Sequence, residues 1–593
     1  MIRSKRLAGV GATAALALLA AGCGGSDTPS SSGSSAGGAA SSGGTAVASF
    51  GAAAAGVVNA SDKTGGTLKY VISDAPDSMD PGNTYYAFNW NFTRLYTRAL
   101  TTFPSKPGQE GLQVTPDLAE GLGVSSNGGK TWTYKLKKGV TFEDGTPVTA
   151  ADVKYAIARS NYTDELTGGP KYFQQYLAAG DYKGPYKDKD LDDFKGITTP
   201  DDSTLVFHLN APFSEFDYLV SNPQAAPVPQ AKDTGLKYEE HPVSTGPYMF
   251  EEHSVGKSFS LVKNPNWDAA ADPNRKQTVD RIELQEKVDA NDIDQRLIAG
   301  TADVDLGGTG VQAQTRATLL QDPTKKNQAD NPQTGFLRYA MLSVNVPPFD
   351  NADCRKAVLY AADHEAIQSA WGGPVGGDIA TTAIPPTVAG YAQADTYGFL
   401  TDKNGNVDKA KQALTACGQP DGFSTKIAVR GDRPKDVASG EALQQSLAKV
   451  GIKTEIAQYP SGDWSAQYAG NTKFVKQNDL GIIVAGWGAD WPSGFGFLSQ
   501  IVDGRAIKPN GGNYNQMELD DPAVNALLDK GIQTTDLAAR NAIWTQVDQK
   551  VMESGALLPF VYEKTLLYRG PSLTNVFVSP SYGMYDYTTL GKQ

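Results

Sequence analysis

Histidine and cysteine are nearly missing from this 593-residue chain, which has four of the first and three of the second. His208, His241, His253 and His364 are far apart, so no pair has the spacing of a metal site, and none is expected. His364-Glu365 opens like a zinc-protease motif, but Gln368 stands where the second histidine belongs. There is no Gly-x-Ser-x-Gly elbow and no phosphate-binding Walker loop. Gly307-Gly308-Thr309-Gly310 lacks dinucleotide-binding spacing and reads as a loop. No catalytic residue and no cofactor is therefore expected, although motif alone leaves open a hydrolase working through cleft carboxylates. Basic residues are in deficit, 53 against 65 acidic, and a net charge of -12 argues against a nucleic-acid partner. Beyond the N-terminus no run approaches the ~18 apolar residues of a membrane span. No 20- to 50-residue period is present, which excludes solenoids and propellers.

The N-terminus is the most informative part of what is there. Arg3, Lys5 and Arg6 precede an apolar stretch, Leu7 to Ala21, and then Gly22-Cys23. A basic region, a short apolar region and small residues before a cut describe a secretory signal peptide over 1–22. A cysteine at the cut resembles a bacterial lipoprotein signal, although the usual branched residue sits one place early, at Leu19. Cys23 is then expected to become the acylated N-terminus on the extracytoplasmic face of the cell membrane. The alternative is an ordinary signal peptide with an incidental cysteine, or a short uncleaved anchor. Residues 23–63, almost wholly Gly, Ser, Ala and Thr, read as a disordered tether of ~40 residues with a reach of roughly 35 Å. Outside the cell two remaining thiols suggest a Cys354–Cys417 disulfide, with two separate buried thiols as the alternative.

About 530 residues follow, too many for one core, so two or three lobes are expected. Strands alternate with helices, the pattern of an α/β protein. Thr67 to Ser73, Trp132 to Leu136 and Thr204 to Leu209 alternate like half-buried strands. Thr149 to Asp152 forms a near capping box ahead of the stripe Val153, Ala156 and Ile157. Asp350 to Ile367 and Ala438 to Val450 read as helices, and Leu480 to Ala485 as a covered strand. Pro522 starts a helix behind Asp520 and Asp521. Ile543, Val547 and Val551 mark a further helix, and Leu557 to Tyr562 a closing strand.

An ordered series of segments resembles the family 5 extracellular solute-binding proteins of ABC importers, the oligopeptide, dipeptide and nickel class. It runs through Gly65-Gly66-Thr67-Leu68, Asp77-Ser-Met-Asp80-Pro81, Arg94-Leu-Tyr-Thr-Arg-Ala-Leu100 and Pro116-Asp-Leu-Ala-Glu120. Trp132 to Phe142, Asp144 to Ala150 and Asp152-Val153 are its most specific part. Thr245-Gly-Pro-Tyr248, Asn264-Pro-Asn-Trp267, Arg355 to Asp363 and Gly486-Trp487-Gly-Ala-Asp490 follow in order. His364 departs from the family's usual Arg or Lys. The resemblance implies a two-lobed, periplasmic-binding-protein-like α/β fold (type II, cluster C) with an extra domain inserted in lobe I. It places lobe I at 64–100, 211–334 and 567–593, the insert at 101–210 and lobe II at 335–566.

The same resemblance implies a monomeric binding protein, not an enzyme, that captures a small molecule, by default an oligopeptide, and delivers it to the membrane subunits of an ABC permease. Trp487 and Asp490 follow an apolar strand into a turn. A carboxylate there pairs with a ligand ammonium, and the Trp face adds cation–π attraction. In peptide-binding relatives the matching aspartate holds the α-amino group. Arg430, or its neighbour Arg433, falls where dipeptide binders keep the arginine for the peptide carboxylate. Tyr85, Tyr86, Tyr339 and Asn345 are expected along the cleft. Oligosaccharide cargo stays open through Trp371, Trp464 and Trp491, as does a surface receptor that delivers to a sensor.

Overall fold

The computed structural model describes residues 45–46, 49–169, 171–508 and 510–593. The signal peptide, Cys23 and most of the expected tether lie outside the described residues.

Two sheets carry the two lobes. The first has five strands in the order Tyr248–Ser254, Ser258–Lys263, Arg281–Gln285, Thr67–Val71 and Val304–Asp305. Thr67–Val71 is parallel to both of its neighbours, and the outer hairpin is antiparallel. The second has six, in the order Gly377–Ile379, Leu557–Lys564, Gln333–Leu342, Ile482–Gly488, Ser424–Arg430 and Lys453–Tyr459. Ile482–Val484 is buried throughout, as a strand covered by helices on both faces must be.

Between the strands Thr67–Val71 and Tyr248–Ser254 of the first sheet, the chain builds a separate antiparallel sheet: Val124–Ser126, Thr131–Lys135, Thr204–His208, Ile197–Asp201. Helix Ala150–Tyr162 covers it and starts as the sequence predicts, with the Thr149 N–H donating to the Asp152 carboxylate at 2.8 Å. By connectivity this unit interrupts the first lobe, yet its apolar core is continuous with that of the second. Phe213 packs its ring 6.3 Å from Trp491 and 5.8 Å from Phe495. The first sheet keeps its own core around Tyr70, Phe92, Phe259 and Tyr587.

Three expectations need correction. The helix read over Asp350 to Ile367 is two, Ala352–Ala361 and His364–Trp371. Ala362 turns extended, and Asp363 caps the second helix by accepting the Ala366 N–H at 3.0 Å. The strand expected to begin at Leu480 begins at Ile482 and runs to Gly488. The tether was expected to reach residue 63, but 49–63 is packed. Ala52 and Ala53 are buried in a short helix, and the Val58 N–H donates to the Val576 carbonyl at 2.7 Å. Ser61 and Asn575 exchange hydrogen bonds at 2.8 and 2.9 Å. Small side chains that resemble a linker in sequence are the ones that let backbone approach backbone.

That segment seats itself on the two crossings between the lobes. The chain leaves the first lobe through Ala329–Asp330 and returns through Leu567–Tyr568, and these two short strands pair with each other. Asp330 is wholly buried and holds the Arg569 guanidinium. It also accepts the Ala53 N–H and the Tyr585 hydroxyl, both at 2.8 Å. Arg569 donates in turn to the Ser49 carbonyl at 2.8 Å, and the Gly51 N–H to the Ala329 carbonyl at 2.9 Å. In the second lobe Cys354, on Ala352–Ala361, and Cys417, after Val407–Ala416, form a disulfide with Cα atoms 5.3 Å apart. It spans 63 residues of sequence, which in the chain-entropy view stabilises the lobe by roughly 4 kcal/mol.

Candidate functional site

The strand Ile482–Gly488 delivers the site. It pairs along its length with Gln333–Leu342, but meets Ser424–Arg430 only at Ile482 and Ile483. Its last residues and the turn beyond, Gly486 to Asp490, are therefore half-buried rather than enclosed in the sheet. Glycine at 486 and 488 leaves room for the Arg338 side chain and the Phe336 ring, which stand where a Cβ would be and would have to shift for any larger residue.

Opposite lies the loop holding Tyr85 and Tyr86. Asp77 fixes it, accepting the Thr84 hydroxyl and the Tyr85 N–H, both at 2.6 Å. Three residues on, Asp80 caps the turn at Pro81 and pairs with Arg159 at 2.6 Å. Arg159, fully buried on helix Ala150–Tyr162, also meets Asp233 at 2.9 Å. The inserted unit thus sets the loop's position.

Between loop and strand is a cavity of about 320 Å³ walled by Tyr85, Tyr86, Trp90, Phe336, Trp487 and Tyr582, with Asp490 in its lining. The walls are apolar and aromatic, as a small-molecule site requires. Trp487 packs 5.1 Å from Tyr514, and its indole N–H has no partner among the described residues.

Asp490 is the polar centre. One carboxylate oxygen accepts the Tyr85 hydroxyl and the other the Tyr172 hydroxyl, so three segments distant in sequence meet on one carboxylate. Burial, and next the Asp490 charge, hold both phenols well above their ordinary pKa, which keeps them donors. Burial pushes the Asp490 carboxyl up to about 6, against the pull of the two hydroxyls. Among the described residues no cation pairs with it. A desolvated carboxylate held by neutral donors favours a ligand that brings the positive charge.

Trp491 and Ser493, just beyond Asp490, donate to Glu215 from the segment that follows the inserted unit. The indole bond is 2.6 Å, and Arg540 stands 3.4 Å from the same carboxylate. Asp490 is therefore anchored from behind by a buried seam between the second lobe and the segment that follows the inserted unit.

The other expected residues are placed differently. Arg430 and Arg433 stand at the C-terminal end of the neighbouring strand and are not in the cavity lining. Arg430 donates to Asp436 at 2.6 Å, yet its Nη2 is buried with no partner among the described residues. Arg433 begins helix Pro434–Ala448 and donates to Ser461 at 3.2 Å. Tyr339 and Asn345 do not line the cavity. Tyr339 is only 2% exposed inside the sheet, and Asn345 donates its amide to Glu518 at 2.9 Å. Tyr172, Glu215, Phe336 and Tyr582 carry no local sequence signal, because only folding brings them to the strand. The four histidines are dispersed, and no cluster among the described residues would hold a metal ion.

Comparison with known proteins bears on the family and the fold. Residues 113–509 match the bacterial extracellular solute-binding proteins, family 5 Middle. The solved structure of the clavulanic acid biosynthesis oligopeptide binding protein 2 is similar at 43% identity and a TM-score of 0.88, covering 92% of this chain and 99% of that one. The glutathione-binding protein GsiB of Salmonella choleraesuis is 26% identical over 480 residues, 80% of this chain and 85% of its own. The heme-binding protein A of Haemophilus influenzae is 25% identical over 541 residues, 88% of this chain and 91% of its own. No helix among the described residues is long and apolar enough to cross a membrane. With the family match spanning most of its length, this chain belongs to the family 5 extracellular solute-binding proteins, the substrate-binding components of ABC transporters.

Proposed function

We propose that this protein captures short peptides by their free N-terminal amine and delivers them to the membrane subunits of an ABC importer. The observation that carries the reading is Asp490, a carboxylate in an aromatic cavity that accepts two tyrosine hydroxyls and pairs with no cation among the described residues. A ligand ammonium completes the charge balance, with Trp487 beside it for apolar area and cation–π attraction. A 43% identical structure whose name is that of an oligopeptide binding protein supports the same cargo class.

Calorimetry with a tripeptide and its N-acetylated form tests this. Acetylation removes the charge and is expected to abolish measurable binding; equal affinities would transfer the site to a neutral cargo such as an oligosaccharide. The pH profile gives an independent check. The Asp490 carboxyl is raised to about 6, so below that it is protonated and no longer balances an ammonium. Affinity is expected to be level from about pH 6 to about 7.5 and to fall about tenfold per unit below 6 as Asp490 protonates. It is expected to decline again toward pH 8 and above, as the peptide's own α-amine loses its proton. A profile flat from pH 5 to 8 would contradict the assignment.

Attachment at the membrane rests on Cys23, which ends a basic-apolar-small series. Cys23→Ser is expected to release the protein into the medium; retention with the membrane fraction and no incorporated lipid label would refute the anchor.

A further inference from the structure

Beside the amine site lies a concentration of positive charge that recognition of a single peptide carboxylate does not need. Arg338 crosses Gly486, itself in the cavity lining, and stacks over Trp371 with its guanidinium 4.9 Å from the ring centre. Lys435, in the first turn of Pro434–Ala448, stands 5.2 Å from the same ring. Arg316 reaches the glycine after Trp371 from helix Ala313–Gln321, on the chain before the crossing at 329. Arg430 and Arg433 continue the group, and the helix N-terminus at Pro434 adds its own partial positive charge.

Against these five cations face three carboxylates. Glu563 meets Arg338 with both oxygens at 2.9 and 3.0 Å, Asp436 meets Arg430, and exposed Asp432 lies beside Arg433. Lys564 and Asp378 neutralise each other at 3.0 Å. Positive charge is left over, and Arg316 Nε and Arg430 Nη2 are buried without partners among the described residues. Arg316 comes from the chain before the crossing at 329, and Arg338 and Lys435 from the chain after it, and the two arginines already act on the Lys435 ammonium as like charges.

We propose that this cluster is a second, anionic subsite, and that the preferred ligands are short peptides with an acidic side chain in addition to their terminal carboxylate. Arg430 and Arg433 take the terminus. Arg316, Arg338 and Lys435, at Trp371 and the glycine after it, take the side chain, whose charge offsets their mutual repulsion. Asp490 and Gly486 are four residues apart and so at most about 14 Å. An extended ligand covers that with three or four residues, enough to reach the Arg338 side chain that crosses Gly486. The direction of the ligand rests on the amine anchor at Asp490; the subsite's preference for an anion does not.

The test is calorimetry at physiological salt with the isosteric peptides Ala-Ala-Glu and Ala-Ala-Gln, each with and without N-acetylation. A charge-assisted contact predicts that the Glu peptide binds about tenfold more tightly. Lys435→Gln, and separately Arg316→Gln, are expected to narrow that ratio to near one. Equal affinity of the two peptides, or a ratio that survives both substitutions, overturns the proposal. If the ratio vanishes while acetylation still weakens binding, the amine anchor stands and the anionic subsite falls. If acetylation has no effect but the ratio holds and collapses in Lys435→Gln, the subsite stands and the amine anchor falls. If neither peptide binds, both fall.

Discussion

Asp490→Asn is expected to weaken binding of a free-amine peptide by two to four decades, the equivalent of roughly 3–5 kcal/mol, while leaving the fold intact. The amide keeps the shape of the carboxylate and, with one tyrosine hydroxyl turned from donor to acceptor against its NH2, its place between Tyr85 and Tyr172, so the main thing it removes is charge. A ligand ammonium drawn into the aromatic cavity would then be desolvated against a neutral group. Little else depends on this side chain, since the turn around it is held by Glu215 through Trp491 and Ser493. Calorimetry of the variant, with its thermal midpoint as a control, gives the check. Wild-type affinity in a folded Asp490→Asn protein would show that the amine anchors elsewhere. Tyr172→Phe sharpens the test. Removing a donor to the carboxylate raises its pKa further, so the pH below which affinity declines should move upward from about 6.

The second large effect is on stability and lies far from the cavity. Asp330→Ala is expected to cost roughly 3–5 kcal/mol, because it leaves the Arg569 guanidinium buried and unpaired. The same change strands the Ala53 N–H and the Tyr585 hydroxyl, so the N-terminal segment loses its seat on the strand pair joining the lobes. Denaturant unfolding reads the loss as a lower midpoint. Limited proteolysis adds a local readout, with new cleavage expected within 49–63. Removing both charges with Asp330→Leu and Arg569→Met should recover part of the stability, since the penalty belongs to the unpaired charge. An unchanged midpoint in Asp330→Ala would mean that the junction is solvated and carries no such load.

Much of the local structure was legible in the chain. The capping box at Thr149, the proline start at Pro522 behind the Asp521 cap and the repeat at Ile543, Val547 and Val551 each act within one or two turns. The break after Ala361 is not legible because no proline or glycine marks it; it follows from Asp363, which caps the next helix. Trp487, Asp490, Tyr85 and Tyr86 were reached through family resemblance and do meet around one cavity. Tyr339 and Asn345 were not separable from true lining residues. Adjacent positions on a strand face opposite ways, and Tyr339 turns inward where its neighbour Arg338 crosses toward the cavity.

The sequence by itself determined the α/β character, the shortage of metal ligands and the order of segments that marks the family. These follow from composition and short-range pattern, which are properties of neighbouring residues. Tertiary structure decided which hydroxyls meet Asp490, that residues 49–63 pack on the junction between the lobes, and that Arg338 and Lys435 meet over one tryptophan with Arg316 beside the glycine that follows it. Those contacts join positions tens to hundreds of residues apart. Their energy depends on burial and on the distance between charges, and neither exists until the chain has closed on itself.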